Sequence, residues 1–161
     1  MTRKSIRPML VCATLAFVLA VGLFVTNSNS IFARSIAATS GPTKLHVIEH
    51  DTNDTTVDIG PNGDSPGDLA VFSSSIYNAA NTKQIGHDSG TCVRTVIGKA
   101  YECSFTVFLP KGQISLEGPF YDNADSMLSI IGGTGHYSNV RGEMKLHDRG
   151  QSEYDYIFYL S

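Results

Sequence analysis

Tryptophan is absent from the 161 residues, only three are cysteine, six are proline, and charged side chains make up just 17%. So few cysteines exclude a disulfide-dense scaffold. Scarce proline and 15 scattered glycines exclude a collagen-like chain, and a 42% hydrophobic share excludes a disordered one. Basic charge is also lacking. Once Arg3, Lys4 and Arg7 are set aside, residues 34–161 hold 9 basic and 15 acidic groups, a net −6. A nucleic-acid surface needs a basic excess or stripe, so nucleic acid is excluded as a partner. The length suits one domain.

What is present begins with an address. Three basic residues precede an apolar run from Met9 to Val25, interrupted only by Thr14 and Gly22. Small residues follow around Ala33 and Ala37-Ala38. A charged start, an apolar middle and small residues at the cleavage point make a secretory signal over residues 1–33. The competing reading is an uncleaved membrane anchor, since a run of about 17 residues can just span a bilayer. Either places the remainder outside the cytoplasm, and the expected localisation is secreted. A membrane is a partner only if the segment stays on. Cys12 lies in this segment, which leaves the exported part with Cys92 and Cys103.

Residues 34–43 read as a linker and 51–66 as a long loop, being rich in Ser, Thr, Asn, Asp, Gly and Pro. The domain proper spans 44–161. Within it, β-prone runs alternate with turn residues, predicting strands near 44–50, 68–77, 85–97, 100–109, 113–119, 126–131, 136–147 and 153–160. Val140, Gly142, Met144 and Leu146 alternate with Arg141, Glu143, Lys145 and His147, the period of a strand with one buried side. Eight strands with hardly any helix to cover a sheet favour an all-β, eight-stranded antiparallel up-and-down barrel over an open sandwich, because closure removes the edges. Such a barrel either fills its interior or encloses a hydrophobic cavity. Tyr101, Phe105, Phe108, Tyr156, Phe158 and Tyr159 are candidate linings.

Two motif matches carry no chemistry. His46-Val47-Ile48-Glu49-His50 has the spacing of an inverted zinc-protease motif, which needs a helix. On a strand the two imidazoles lie about 13 Å apart at ~3.3 Å per residue, so no metal site is expected. Gly132-Gly133-Thr134-Gly135 resembles a phosphate-cradling loop, but such a loop opens a helix. Here it precedes the alternating strand, and a tight turn with positive-φ glycines is expected.

The chain from Gly67 onward resembles the allene oxide cyclase family and the wider barrel superfamily it shares with dirigent proteins. The matching pieces are Gly67-Asp68-Leu69-Ala70-Val71-Phe72, Ile76-Tyr77, Gly90-Thr91-Cys92-Val93, Gly118-Pro119-Phe120, Ile130-Ile131-Gly132-Gly133-Thr134-Gly135 and Tyr156-Ile157-Phe158-Tyr159-Leu160. Glu49 in the first strand matches the family's acidic position, and the ordered set covers nearly all of 44–160. The resemblance implies a hydrophobic cavity, no cofactor, a small hydrophobic ligand or substrate, and an assembly that is often a homotrimer. It also implies catalytic roles for Glu49 and the neighbouring Asp51, and substrate-binding roles for Phe72, Ser74, Cys92 and Phe120. The chain departs from the family where Asp51 and Ser74 replace Asn and Phe120 replaces Tyr. A second carboxylate beside Glu49 raises one of the two pKa values, and a jasmonate-type substrate is not implied.

Each site residue has a plainer reading. Glu49, as an isolated strand glutamate, would turn outward to solvent. Asp88, in Gly86-His87-Asp88-Ser89-Gly90, reads first as a turn or strand-end carboxylate and second as a further acid near the site. A turn at Ile97-Gly98 sets Cys92 opposite Cys103, and export favours a disulfide between them. A turn at Gly98-Lys99 pairs Cys92 with Phe105 instead. A disulfide would make Cys92 structural. Three functions follow: an isomerase or cyclase without cofactor acting on a reactive lipid- or polyketide-like substrate, a dirigent-like stereochemical guide, or a binding barrel with no chemistry.

Overall fold

The computed structural model describes residues 43–161. The segment 1–33, Cys12 and nearly all of the linker lie outside the described residues. The elements in chain order are β1 (Thr43–His50), β2 (Asp54–Val57), β3 (Leu69–Asn78), β4 (Gln84–Val96), β5 (Ala100–Leu109), β6 (Gly112–Tyr121) and β7 (Ser126–Gly133). A single 3₁₀ turn (Gly135–Tyr137), β8 (Gly142–Gly150) and β9 (Glu153–Leu160) complete the chain. Hydrogen-bonded neighbours run β1-β9-β8-β7-β6-β5-β4-β3, and β3 returns to β1. All pairings are antiparallel. The result is a closed eight-stranded barrel, with β2 as a short addition beside β3.

β2 corrects the sequence expectation of a loop over 51–66. Its four residues are all exposed, so no buried alternation marks them. They are a strand because the edge of β3 is free there. β1 pairs with Ser75–Asn78 of β3, whereas β2 pairs with Leu69–Phe72. The two are one strand line broken at 51–53, where Asp51 N–H donates to Ser152 O and Ser73 N–H to Asn53 O, both at 3.0 Å. Backbone groups freed by the break are thereby satisfied.

A second correction concerns the predicted strand over 136–147. Gly135 and Asn139 adopt positive φ, 61° and 66°, and the chain makes a 3₁₀ turn before β8 starts at Gly142 and runs to Gly150. The buried alternation is real but begins outside the strand, with Val140, Met144 and Leu146 all buried. Gly132 and Gly133 are the end of β7 rather than a tight turn, and of that glycine group only Gly135 has positive φ.

Inward residues alternate along each strand, and the register divides the interior into two levels. Val47, Ile76, Val107, Ile114, Met144 and Phe158 are fully buried and plug one level. Moving along each strand toward the other end brings Glu49, Phe72, Phe105, Phe120, Leu146 and Tyr156 into the interior, and there the packing opens.

Gly90 makes one of these walls possible. It pairs with Phe105 across β4 and β5, and a Cβ there would overlap the Phe105 Cβ and the adjoining backbone. Gly90→Ala is therefore expected to destabilise the fold by about 1–3 kcal/mol, the usual cost of overpacking. Thermal unfolding checks this, and an unchanged midpoint would mean that β5 can move away freely.

Candidate functional site

The open level is a cavity of about 230 Å³ whose walls include Glu49 and Asp51 from the β1 end, Asp54 from β2, and Phe72 from β3. β4 and β5 contribute Cys92, Tyr101, Cys103 and Phe105, β6 contributes Phe120, and β9 contributes Tyr154 and Tyr156. Six aromatic rings thus surround one carboxyl at depth and two nearer solvent. Phe72 meets Phe105 edge to face at 5.5 Å, and Phe120 meets Tyr154 in the same way at 6.1 Å. Such contacts hold ring positions beyond what burial alone does.

Glu49 is 5% exposed and faces inward, not outward as an isolated strand glutamate would. Behind it lies Asp88, with no exposed surface and no part in the lining. Its register opposite Ser74 explains its ligands: Ser74 N–H donates to Asp88 Oδ1 at 3.1 Å, and Tyr156 O–H donates to Oδ2 at 3.2 Å. Ser74 does not line the cavity, whereas Asp51, Phe72, Cys92 and Phe120 do.

Burial raises the Glu49 carboxyl to about 8, and the adjacent Asp88 carboxylate raises it further, against a smaller lowering by the Ser74 and Tyr156 hydroxyls. Burial likewise raises Asp88 to about 7, opposed by its two hydrogen bonds. Two buried acids this close cannot both ionise cheaply, so the pair holds a proton at neutral pH. Asp51 is raised by partial burial and by Asp54. Burial and the surrounding carboxylates push Tyr154 up to about 12, and Tyr156 is raised strongly by its complete burial. Both phenols stay protonated and can donate.

Cys92 and Cys103 are directly paired and joined by a disulfide. The turn contains Ile97, Gly98 and Lys99, with a bulge between Arg94 and Val96 that restores the register setting the two cysteines opposite each other. Cys92 accordingly touches the cavity as half of a bridge. The closed loop is short, so reduction should cost about 2–3 kcal/mol of stability. Non-reduced peptide mapping should link the two fragments, and two freely alkylated thiols in the native protein would contradict the bridge.

Arg94 fixes the rim. Its guanidinium donates to both Asp122 oxygens at 2.8 Å and to Tyr101 Oη at 2.7 Å, and it pairs with Asp64. Asp64 belongs to the segment after β2, where Asp68 accepts from the N–H groups of Ile59 and Ser65 at 2.7 and 2.8 Å. The two histidines of the zinc-like motif bond elsewhere: His46 to Asp155 and His50 to Asn81, both at 2.7 Å. Among the described residues no group of three metal-ligating side chains is brought together.

Residues 40–161 match the family described as allene oxide cyclase. The chain belongs to that family. Among solved structures, a pyocyanin demethylase is 25% identical, with a TM-score of 0.67 over 74% of this chain and 100% of that one. The pterocarpan synthase dirigent protein PsPTS1 is 19% identical, with a TM-score of 0.57 over 73% of this chain and 94% of its own. The Diels-Alderase AbmU from Streptomyces koyangensis is 18% identical, with a TM-score of 0.61 over 73% of this chain and 63% of its own. The last two likenesses show the shared barrel fold. In this allene oxide cyclase family member, local pattern favours a turn role for Asp88 and does not single out Tyr154. Asp88 shares the even-numbered, inward register of Gly90 and Cys92 on β4, and that parity was the available signal.

Proposed function

We propose that the protein is an isomerase or cyclase that encloses a reactive, ring-bearing hydrophobic substrate and works with its own acids. The observation that carries this reading is a cavity-lining Glu49 kept protonated by burial and by Asp88. A neutral carboxyl in an apolar cavity is a general acid poised at the working pH. Glu49 donates its proton to a heteroatom of the bound substrate as a strained or conjugated bond shifts. It takes a proton back when the product forms, so the atoms balance without an oxidant. Asp88 is a positioning residue, holding Tyr156 and setting the Glu49 proton. Phe72, Phe105 and Phe120 fix how the ring-bearing substrate lies against Glu49, which is where orientation lowers the barrier. The pyocyanin demethylase likeness supports a barrel that acts on small molecules.

A second reading, a dirigent-like guide that steers intermediates made elsewhere, is favoured by the same cavity-facing carboxyls and aromatic walls. The two separate by mass. Small molecules that co-purify are identified by mass spectrometry and incubated with the wild type and with Glu49→Gln. The enzyme reading expects a product of unchanged mass from the wild type only, whereas a guide, lacking the enzyme that makes the intermediate, forms product with neither. A product of altered mass would contradict isomerisation.

We further infer export and homotrimeric assembly, supported respectively by the basic-then-apolar N-terminus and by family membership.

A further inference from the structure

The charge of the cavity is one-sided. Asp51 and Asp54 line it beside the protonated Glu49, and no lysine, arginine or histidine does. None of the three carboxyl groups has an ion-pair partner among the described residues. Arg94, the cation in contact with the lining Tyr101, is already bound to Asp64 and Asp122. An anionic ligand such as a fatty carboxylate would meet like charge with nothing to compensate it. A cation would meet carboxylates at the rim and the electron-rich faces of rings within. The volume of about 230 Å³ lies below the range typical of drug-sized ligands and limits the occupant to a few fused rings.

We propose that the cavity takes a small, flat aromatic ligand bearing delocalised positive charge. The carboxylates of Asp51 and Asp54 select the charge, and Phe72, Tyr101, Phe105 and Phe120 select the flat shape. The inference rests on the cavity being the substrate site, as the proposed function holds, and it names the substrate class.

Three probes of nearly equal size test it by calorimetry at neutral pH: N-methylquinolinium, its neutral isostere methylnaphthalene, and naphthoate. The full-length protein should bind the cation about ten-fold or more tightly than the isostere, with naphthoate weakest, and added salt should narrow the gap. In the Asp51→Asn/Asp54→Asn double variant, cation affinity should fall to within about three-fold of the isostere while methylnaphthalene binding holds. That unchanged binding also reports that the double variant is folded. Naphthoate binding as tightly as the cation would overturn the proposal, as would a cation preference that survives the double variant. Methylnaphthalene bound without any charge preference would overturn the charge selection and leave the proposed function standing. Failure of all three probes to bind would overturn both.

Discussion

Glu49→Gln should lower turnover by about 10²–10⁴-fold, the range a positioned general acid contributes, while binding of an apolar ligand changes little. Glutamine keeps the shape of the side chain and removes its titratable proton. Because Glu49 lines the cavity with 5% of its surface exposed, no solvent proton has an easy route to replace it. Phe72→Ala has the opposite signature. It enlarges the cavity, weakens binding and relaxes product stereochemistry, with the proton chemistry intact. A barrel without chemistry would lose affinity with Phe72→Ala and be indifferent to Glu49→Gln. Steady-state rates and product ratios for the two variants separate these outcomes.

The second large effect is on stability. Glu49 and Asp88 have folded-state pKa values of about 8 and about 7, against ordinary values of 4.5 and 3.8. Between those limits the folded state binds more protons than the unfolded state, so stability falls as pH rises. The contribution is fully present below about pH 4 and is lost through pH 7–8. Each proton held by the folded state alone costs ~1.4 kcal/mol for every pH unit climbed. One proton held over these three pH units already makes the loss from pH 5 to pH 8 about 4 kcal/mol, and the second acid adds to it. Asp68 acts in the opposite sense, since its backbone hydrogen bonds lower its pKa. Its contribution is lost only in more acidic solution, outside this window. Glu49→Gln should flatten the slope and be more stable than the wild type at pH 8. Denaturant unfolding at several pH values checks this, and stability that rises from pH 5 to pH 8 would contradict the buried pair.

Much of the barrel is legible in the sequence because alternation survives wherever one face is buried. β8 is an example: Met144 and Leu146 are inward and buried, while Glu143 and His147 are exposed. Other parts are illegible for identifiable reasons. β2 is exposed throughout and exists only because the edge of β3 is free beside it. Asp88 sits among glycines that look like turn residues but are strand residues. Gly86 and Gly90 are small because β5 comes close at Phe108 and Phe105, a tertiary fact that local pattern does not carry. Glu49 is legible through the family's acidic position, yet its inward orientation depends on the register of β1 against β3 and β9.

The most direct measurement is the titration of the carboxyl carbons by carbon-13 NMR, with Glu49 and Asp88 assigned by the signals lost in Glu49→Gln and Asp88→Asn. Glu49 should titrate at about 8 and Asp88 at about 7, with each moving when the other is neutralised. Titration of both carboxyls below about pH 5, in the ordinary carboxylate range, would contradict a proton-holding pair in the barrel.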